Sequence, residues 1–267
     1  MTSNPQLCIT ILAGGNGTRM NDKLPVEDHL PKVLHIVANE PMLVKIINTC
    51  KKFNPGKIII VVNPQTVDII KETLRQYLSV ETCSNLLFAT QEIPQGTGQA
   101  VLKSMDLLSI CKKSGARHNM ILNGDTPCLK YFTLIDAYIN FLSKYKTSIN
   151  NLQITSISLD NPMANGRIVH SNQTIEIVEY KDCTEEQKNI KEINVGIYIA
   201  DIDLLFKCIP KIDNKNKQGE YYLTDIVNLS NKHEYNTILY QLNKSKQLEI
   251  FNINTREDLN YIINKKV

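Results

Sequence analysis

The sequence of 267 residues lacks tryptophan, long apolar runs and an excess of one charge, and the last two absences exclude classes of protein. A helix that crosses a bilayer needs about 20 apolar residues in succession. No segment approaches that length, so we expect no membrane association. The 30 Lys and Arg residues nearly balance the 27 Asp and Glu residues. A protein that follows a nucleic-acid backbone presents a strongly basic surface, so we expect no nucleic-acid partner.

Cysteine pairs and histidine clusters are also missing. The seven cysteines form no C-x-x-C pair and the five histidines are scattered, so a zinc site is not expected. An odd number of dispersed cysteines is typical of reduced thiols. The short polar stretch 1–6 leaves no room for a signal peptide. The sequence thus predicts a cytoplasmic protein.

The first half of the chain alternates apolar strand-like runs with segments of helical periodicity, which predicts a mostly parallel sheet with helices on both faces. The predicted strands are Leu7–Leu12, Lys57–Val62, Leu86–Ala89 and Met120–Leu122. The predicted helices are Leu43–Phe53, Thr66–Leu78, Thr97–Leu108 and Tyr131–Tyr145. In the last of these, helical spacing predicts a buried face made of Phe132, Ile135, Ile139 and Leu142.

The second half is richer in short strands. Strands are predicted at Leu152–Leu159, Arg167–Val169, Thr174–Glu179, Glu192–Ala200, Thr237–Leu242 and Leu248–Phe251. Helices are predicted at Asp201–Cys208, at Tyr221–Ser230 and from Thr255 onwards. The chain has no internal repeat and no linker rich in Pro, Gly or Ser. We therefore expect one domain over residues 1–267, with halves of about 1–150 and 151–267.

A glycine-rich turn follows the first predicted strand. Three glycines between residues 14 and 17 let the backbone N–H groups approach an anion, and Arg19 and Lys32 add positive charge. A P-loop requires Lys-Ser/Thr after its last glycine, whereas Gly17 is followed by Thr18. The dinucleotide fingerprint requires glycine where this chain has Met20. An ordinary turn without a ligand is the alternative, but the added cations favour an anion site.

Two later turns carry further polar groups at predicted strand ends. The 91–99 turn opens a helix, and the Gln91 amide could hydrogen-bond to the edge of a nucleobase. Asp125, after the next strand, is the best candidate ligand for Mg²⁺, which prefers carboxylate, water and phosphate oxygens. Each has an ordinary alternative, since Gly96-Thr97 could simply cap a helix and Asp125 could simply stabilise a turn.

Two polar residues interrupt apolar alternation in the second half. Glu179 continues the inward-facing row of Ile175 and Ile177, so its carboxylate needs a partner. Asn194 lies on the face opposite to its aliphatic neighbours in the 192–200 strand. Either could be a structural polar group that is fully hydrogen-bonded.

Together these segments resemble the sugar-nucleotide pyrophosphorylases, and most closely the uridylyltransferase part of the bacterial N-acetylglucosamine-1-phosphate uridylyltransferases. The similarity spans nearly the whole chain. It rests on residues 12–20 (LAGGNGTRM), 30–34 (LPKVL), Gln91 with 96–98 (GTG), 124–125 (GD), 166–168 (GRI), 177–182 (IVEYKD), 192–196 (EINVG), 218–225 (QGEYYLTD) and 253–256 (INTR). The resemblance implies a Rossmann-like mixed sheet with a smaller β-rich lobe.

The resemblance also implies roles for individual residues. Arg19 and Lys32 would be the catalytic cations, and Asp125 and Asn254 would bind Mg²⁺. The nucleotide UTP would contact Leu12, Ala13, Gly14, Gly15, Gly17, Gln91, Gly96 and Thr97. The sugar 1-phosphate would contact Gly166, Glu179, Asn194, Tyr222 and Thr224. The implied product is UDP-N-acetylglucosamine, formed with release of pyrophosphate.

Several features depart from the family pattern. Residues Pro25 to His29 form an insertion before Lys32, Asn123 replaces an aromatic residue, and Gly14-Gly15 is closer to the thymidylyl- and guanylyltransferases. The chain ends at Val267 without the acetyltransferase half of the bifunctional bacterial enzymes, so we expect no acetylation. The alternatives are the same chemistry with dTTP or another sugar 1-phosphate, or a sugar-nucleotide sensor that does not catalyse.

Overall fold

The computed structural model describes residues 4–22, 29–171 and 174–265. Its strands are β1 (Leu7–Ala13), β2 (Ile36–Val37), β3 (Glu40–Pro41), β4 (Ile58–Val62), β5 (Leu86–Thr90), β6 (His118–Asn123), β7 (Asn151–Ser158), β8 (Arg167–Ser171), β9 (Thr174–Val178), β10 (Glu192–Asp201) and β11 (Asn236–Leu242). Its α-helices are α1 (Met42–Cys50), α2 (Val67–Tyr77), α3 (Val80–Ser84), α4 (Thr97–Lys103), α5 (Met105–Lys113), α6 (Tyr131–Ser143), α7 (Glu185–Lys188), α8 (Ile202–Cys208), α9 (Ile226–Lys232) and α10 (Arg256–Asn264). Most of the predicted elements are therefore present.

One nine-stranded sheet organises the molecule. Its main order is β11-β7-β10-β6-β1-β4-β5, and β8 pairs with both β10 and β9. Strands β6, β1, β4 and β5 run parallel, whereas β10 runs antiparallel to β6 and to β7. The β8–β9 hairpin extends the β-rich side. The predicted fold class, a mixed sheet of Rossmann-like type with helices on both faces and a smaller β-rich lobe, is confirmed.

Alternation along β1 contributes side chains to the two larger hydrophobic clusters, one on each face of the sheet. Ile9 and Ile11 point to the face covered by α1, α2 and α6, and Cys8 points to the face covered by α4, α5, α8 and α9. β1 is completely buried along Leu7–Ile11, as expected for a central parallel strand covered on both sides. All seven cysteine thiols are unpaired. No helix in the described parts of the chain is long and apolar enough to span a membrane.

Parallel pairing brings functional loops to one edge of the sheet. β1 pairs with β4 on one side and with β6 on the other. The loops after β1 and β6 therefore leave the sheet side by side at the point where strand order reverses, which is where ligands bind in open α/β sheets. The turn after β5 follows at the same edge.

Two predicted elements differ from those of the structure, one in its extent and one in its type. The predicted Thr97–Leu108 helix divides into α4 and α5 because the buried Ser104 side chain donates to the Val101 carbonyl at 2.7 Å and closes the first helix. The predicted Leu248–Phe251 strand is a turn. There the N–H groups of Glu249 and Ile250 donate to the Lys246 carbonyl, so local bonds use groups that a strand would need.

The predicted buried face of α6 was also wrong. Phe132 is 73% exposed, Ile139 57% and Leu142 46%, while Ile135 is only partly buried against the core. The helix instead buries a stripe that consists of Thr133, Leu134, Ala137, Tyr138 and Phe141. The two stripes are offset around the helix by one to two residues, so periodicity alone did not distinguish them.

Paired substitutions on α6 test the corrected face. Phe141 is fully buried and its ring contacts Tyr145 at 5.6 Å between centroids, so Phe141→Ala should reduce the free energy of unfolding by about 3–5 kcal/mol. Phe132→Ala removes a phenyl ring from the exposed face, so it should change the free energy of unfolding by about 0.5 kcal/mol or less. Urea denaturation measures both, and equal losses would contradict the assigned orientation of α6.

Candidate active site

Two adjoining cavities open at the functional edge of the sheet. The first, of about 350 Å³, is lined by the predicted nucleotide-site residues Leu12, Ala13, Gly14, Gly15, Gln91, Gly96 and Thr97. It is also lined by the predicted catalytic Lys32, the predicted metal ligand Asp125, and Glu179 and Tyr222 of the predicted sugar-phosphate site. The second, of about 170 Å³, is lined by the predicted sugar-site residues Gly166, Glu179, Asn194 and Thr224. Thr97, Asn123 and Glu179 line both cavities. The structure thus brings the two predicted sets of residues to one cleft.

The first loop wraps around Lys32. Gly17 has a φ of +61°, and a Cβ there would lie 3.0 Å from the Cβ of Lys32, so this position requires both the left-handed backbone and the missing side chain. Lys32 begins a short 3-10 turn over Lys32–Leu34. Of the predicted insertion at 25–29, residues 25–28 lie outside the described residues. Gly17 and Lys32 are packed against each other, although neither Gly17 nor Arg19 lines the cavities themselves.

A cluster of polar side chains follows the carboxyl ends of β1 and β6. The Lys32 Nζ donates to Asp125 Oδ2 at 2.5 Å and to Asn254 Oδ1 at 3.0 Å. The guanidinium of Arg19 also donates to Asn254 Oδ1, at 3.2 Å. The side chains of Lys32 and Asp125 are only 15% and 14% exposed. The cluster therefore holds two cations beside one carboxylate, a net positive environment that suits phosphate groups.

The oxygen atoms in this cluster fit a hard cation. Asp125 supplies a carboxylate and Asn254 an amide oxygen, and both oxygens converge on the same ammonium group. Mg²⁺ is commonly held by one or two carboxylates, with waters and substrate phosphates as its other ligands. Within residues 4–22, 29–171 and 174–265, no three His, Cys, Asp or Glu side chains form a metal site by themselves. This donor set therefore fits a cation that arrives with a phosphate ligand.

Asn252 is a site residue that the sequence analysis missed. Its Nδ2 donates to Asp125 Oδ1 at 2.9 Å, while the backbone N–H of Ile253 donates to the Asp125 carbonyl. Asp125 lines the first cavity and Asn252 lines the second, so this pair lies where the cavities meet. The only signal in the sequence was the Asn-x-Asn spacing with Asn254, which places both side chains on the same side of an extended segment.

The turn after β5 is held by the second half of the chain. The Tyr221 N–H donates to the Gln95 carbonyl at 2.7 Å, and the Gly98 N–H donates to the Tyr221 carbonyl at 2.8 Å. A Cβ on Gly96 would lie 2.5 Å from that Tyr221 oxygen, and Gly96 has a φ of +111°. Only glycine therefore fits at this position. Gln91, 2% exposed, lies beneath the turn and donates from Nε2 to the Gly96 carbonyl.

The second cavity is lined mainly by neutral hydrogen-bonding groups. Asn194 donates from Nδ2 to the Tyr198 hydroxyl at 2.7 Å and accepts at Oδ1 from the Gly196 N–H, so its amide orientation is fixed. Its backbone N–H donates to the Gly166 carbonyl. Glu179 accepts from the Thr224 hydroxyl at 3.1 Å, which is the partner that its inward position requires. The arrangement suits a ligand rich in hydroxyl or amide groups.

Arg167 supports this cavity from behind and was not predicted as a functional residue. Arg167 is 1% exposed, and its guanidinium donates to the carbonyls of Met163, Asn165 and Lys188. These bonds hold the 162–165 turn, whose Ala164 lines the cavity together with Asn165. Arg167 therefore positions the wall and does not itself line the cavity.

Acidic groups cluster near Glu179. Burial raises the pKa of Glu179, the Thr224 hydroxyl partly offsets this rise, and Asp225 and Asp182 raise the pKa further. Burial likewise raises the pKa of Asp225 to about 6, with contributions from Asp213 and Asp182. A buried carboxyl group ionises at a cost, and a hydrogen-bond donor from a ligand lowers that cost. This side of the cleft therefore favours ligand hydroxyl or N–H groups over a further anion.

Comparison with known proteins gives a consistent family relationship. The family model described as "Nucleotidyl transferase" matches residues 9–246. The chain is 40% identical over 260 residues to a "Probable UDP-N-acetylglucosamine pyrophosphorylase" of Acanthamoeba polyphaga mimivirus, covering 96% of this chain and 95% of the relative. It is 33% identical over 258 residues to the "Bifunctional protein GlmU" of Desulfotalea psychrophila, covering 96% of this chain and 69% of that protein.

A solved structure shares the fold. The crystal structure of a putative glucose-1-phosphate thymidylyltransferase from Bacillus anthracis superposes with a TM-score of 0.70 at 18% identity, covering 97% of this chain and 94% of that one. At this identity the likeness supports the architecture alone.

Two glycines with similar backbone conformations test the contact between the 95–98 turn and Tyr221. Gly96→Ala and Gly115→Ala both place a side chain at positive φ, at a cost of about 1–3 kcal/mol in stability. Only Gly96→Ala meets the Tyr221 carbonyl, because a Cβ on Gly115 has no atom within 4 Å. We expect UTP binding, measured by calorimetry, to weaken about tenfold or more in Gly96→Ala and to stay unchanged in Gly115→Ala. Equal affinities would show that the turn tolerates displacement.

The raised pKa of Asp225 predicts a pH dependence of stability. A carboxyl with a higher pKa in the folded state stabilises that state below its unfolded pKa of about 4, and this contribution is lost as pH rises through about 6. The urea midpoint of Asp225→Asn should therefore fall less than that of the wild type between about pH 4 and pH 7. Asp136→Asn, which changes an exposed carboxyl on α6, is the control and should match the wild type. If the urea midpoint of Asp225→Asn changed with pH as steeply as that of the wild type, the raised pKa of Asp225 would be contradicted.

Proposed function

This chain belongs to the nucleotidyl transferase family, and on that premise we propose that it joins UTP and N-acetylglucosamine 1-phosphate into UDP-N-acetylglucosamine and pyrophosphate. The observation that carries the proposal is the junction of the two cavities. The Asp125–Asn252 hydrogen bond spans it, with the cationic Lys32 on one side and neutral hydrogen-bonding groups on the other. A triphosphate and a sugar phosphate bound in the two cavities would meet at this junction.

The reaction needs no general base. The phosphate oxygen of a sugar 1-phosphate is already anionic at neutral pH, so it can attack the α-phosphorus of UTP directly while the bond to pyrophosphate breaks. The chemical requirement is to bring two anions together and to stabilise the charge on the leaving pyrophosphate. The absence of a predicted nucleophile triad agrees with this requirement.

We assign charge neutralisation to Arg19 and Lys32. Lys32 is paired with Asp125, and its side chain is partly buried at the junction. When phosphates enter, Lys32 and Arg19 can donate to their oxygens, and the ligand atoms of Asp125 and Asn254 become available. Mg²⁺ bound to these two residues would supply further neutralisation of the phosphate charge.

The remaining predicted residues divide between the two substrates. The backbone from Leu12 to Gly15 and the Gln91 amide would contact the nucleotide, while Gly166, Asn194 and Thr224 would contact the sugar. Glu179 would accept a hydrogen bond from a sugar hydroxyl or from the N-acetyl N–H. Residues of about 1–150 and about 151–267 would act together as one catalytic unit.

A substrate panel tests the activity. Pyrophosphate release is measured with UTP, dTTP, CTP, ATP and GTP against several sugar 1-phosphates, with and without Mg²⁺. We expect the fastest turnover with UTP, N-acetylglucosamine 1-phosphate and Mg²⁺. Faster turnover with dTTP or another sugar 1-phosphate would replace the proposed substrates, and no turnover with any pair would favour a sensor.

Removing the proposed metal ligand tests the mechanism. Asp125→Ala should lower kcat/KM by about 10²–10³-fold, because it removes a group that acts where charge develops. Asp136→Ala makes the same change on the exposed surface of α6 and should keep full activity. Circular dichroism verifies that both variants are folded. Full activity in Asp125→Ala would refute its role as a metal ligand.

A further inference from the structure

Three glutamines beneath and beside the 95–98 turn form a continuous chain of hydrogen bonds. Gln91 Nε2 donates to Gln99 Oε1 at 2.7 Å, and Gln99 Nε2 donates to Gln95 Oε1 at 2.6 Å. Gln99 is the central member, because its oxygen also accepts from the Gln95 backbone N–H at 3.2 Å. Gln99 does not line either cavity, whereas Gln91 lines the first one.

Backbone groups determine which way two of these amides point. The Gly96 carbonyl can only accept, so the Gln91 atom 3.1 Å from it must be the nitrogen. The Gln95 backbone N–H can only donate, so the Gln99 atom facing it must be the oxygen. These two independent assignments agree with each other, because they place the nitrogen of Gln91 against the oxygen of Gln99.

This orientation leaves Gln91 with one usable atom. Both hydrogens of its Nε2 are occupied, by Gly96 and by Gln99. Its Oε1 lies on the other side, close to Gly14, where a built Cβ would be 2.9 Å away. Gln91 and Gly14 both line the first cavity, so the side chain presents a fixed acceptor there.

A fixed acceptor discriminates between pyrimidines. Uracil and thymine carry a donor, N3–H, at the position where cytosine carries an unprotonated, acceptor N3. An acceptor opposite that position bonds to the first two bases and repels the third. If the amide of Gln91 could rotate by half a turn, its NH₂ group would instead accommodate cytosine.

We propose that Gln99 is a positioning residue that selects uracil over cytosine by holding the Gln91 amide in the acceptor-outward orientation. This inference rests on the proposed function, since it assumes a nucleotide base beside Gln91. Without Gln99, the bond to the Gly96 carbonyl is the one hydrogen bond, among the residues that the structure describes, that still opposes rotation of the Gln91 amide. One neutral hydrogen bond commonly changes an equilibrium, here that between the two orientations of the Gln91 amide, by about five- to tenfold. The preference for UTP over CTP should therefore fall by about that factor without Gln99.

Four proteins test the proposal: the wild type, Gln99→Leu, Gln99→Glu and Gln95→Leu. The measured quantity is the ratio of kcat/KM for UTP to kcat/KM for CTP. Gln99→Leu should lower it about five- to tenfold. Gln99→Glu keeps an oxygen that accepts from Gln91, so it should retain the wild-type ratio. Gln95→Leu removes a glutamine side chain from the same turn that does not contact Gln91, so this variant should also keep the wild-type ratio.

The ratio of kcat/KM for UTP to kcat/KM for dTTP distinguishes loss of positioning from general loosening of the turn. Thymine has the same N3–H as uracil, so this second ratio should be unchanged in every variant. If Gln99→Leu only damaged the structure of the turn, kcat/KM would fall by the same factor for every nucleotide. The UTP-to-CTP ratio would then keep its wild-type value, which would overturn the inference. Equal loss of that ratio in Gln99→Glu and Gln99→Leu would overturn it as well.

The wild type separates failure of this inference from failure of the proposed function. A wild type that prefers a base without N3–H, or turns over no nucleotide, would refute the proposed function. If the wild type prefers UTP and Gln99→Leu has the same UTP-to-CTP ratio of kcat/KM as the wild type, only the role of Gln99 would be refuted.

Discussion

The backbone bonds between Tyr221 and the 95–98 turn are the constraint on which the cleft depends. They join segments more than a hundred residues apart, and Thr97 adds a side-chain bond to the Leu223 N–H at 3.1 Å. Through this junction the residues that follow Tyr221 reach the edge of the parallel strands. The close approach leaves no room for a Cβ on Gly96, so the glycine is required by a contact between the two halves of the chain and not by the turn alone.

The same edge concentrates opposite charges without burying an unpaired one. Asp125 is accompanied by Lys32 and Asn252, and Lys32 in turn shares Asn254 with Arg19. Each of these side chains therefore has a hydrogen-bond partner within the protein, which limits the cost of desolvation. In the proposed function, entry of a phosphate would require these oriented groups to exchange hydrogen-bond partners.

The sequence predicted what depends on local pattern and missed what depends on distant partners. The β-branched run of β4 and the capping sequence before α10, where Thr255 accepts from the Asp258 N–H, identify their elements locally. The buried face of α6 was mispredicted because apolar residues occur on both of its sides. Asn252 acts on a residue 127 positions earlier, and no local pattern reveals that contact. The predicted roles of the site residues remain predictions.

Strand β10 lies between β6 and β7 although it follows both in the chain. During synthesis β6 can pair with β1 as soon as residue 123 is available, but its other side has no neighbour until residues 198–201 are made. For that interval an apolar strand presents an open hydrogen-bonding edge, a feature that invites association between chains. The insertion of a late antiparallel strand thus makes completion of the sheet, and not formation of its parallel centre, the vulnerable stage of folding.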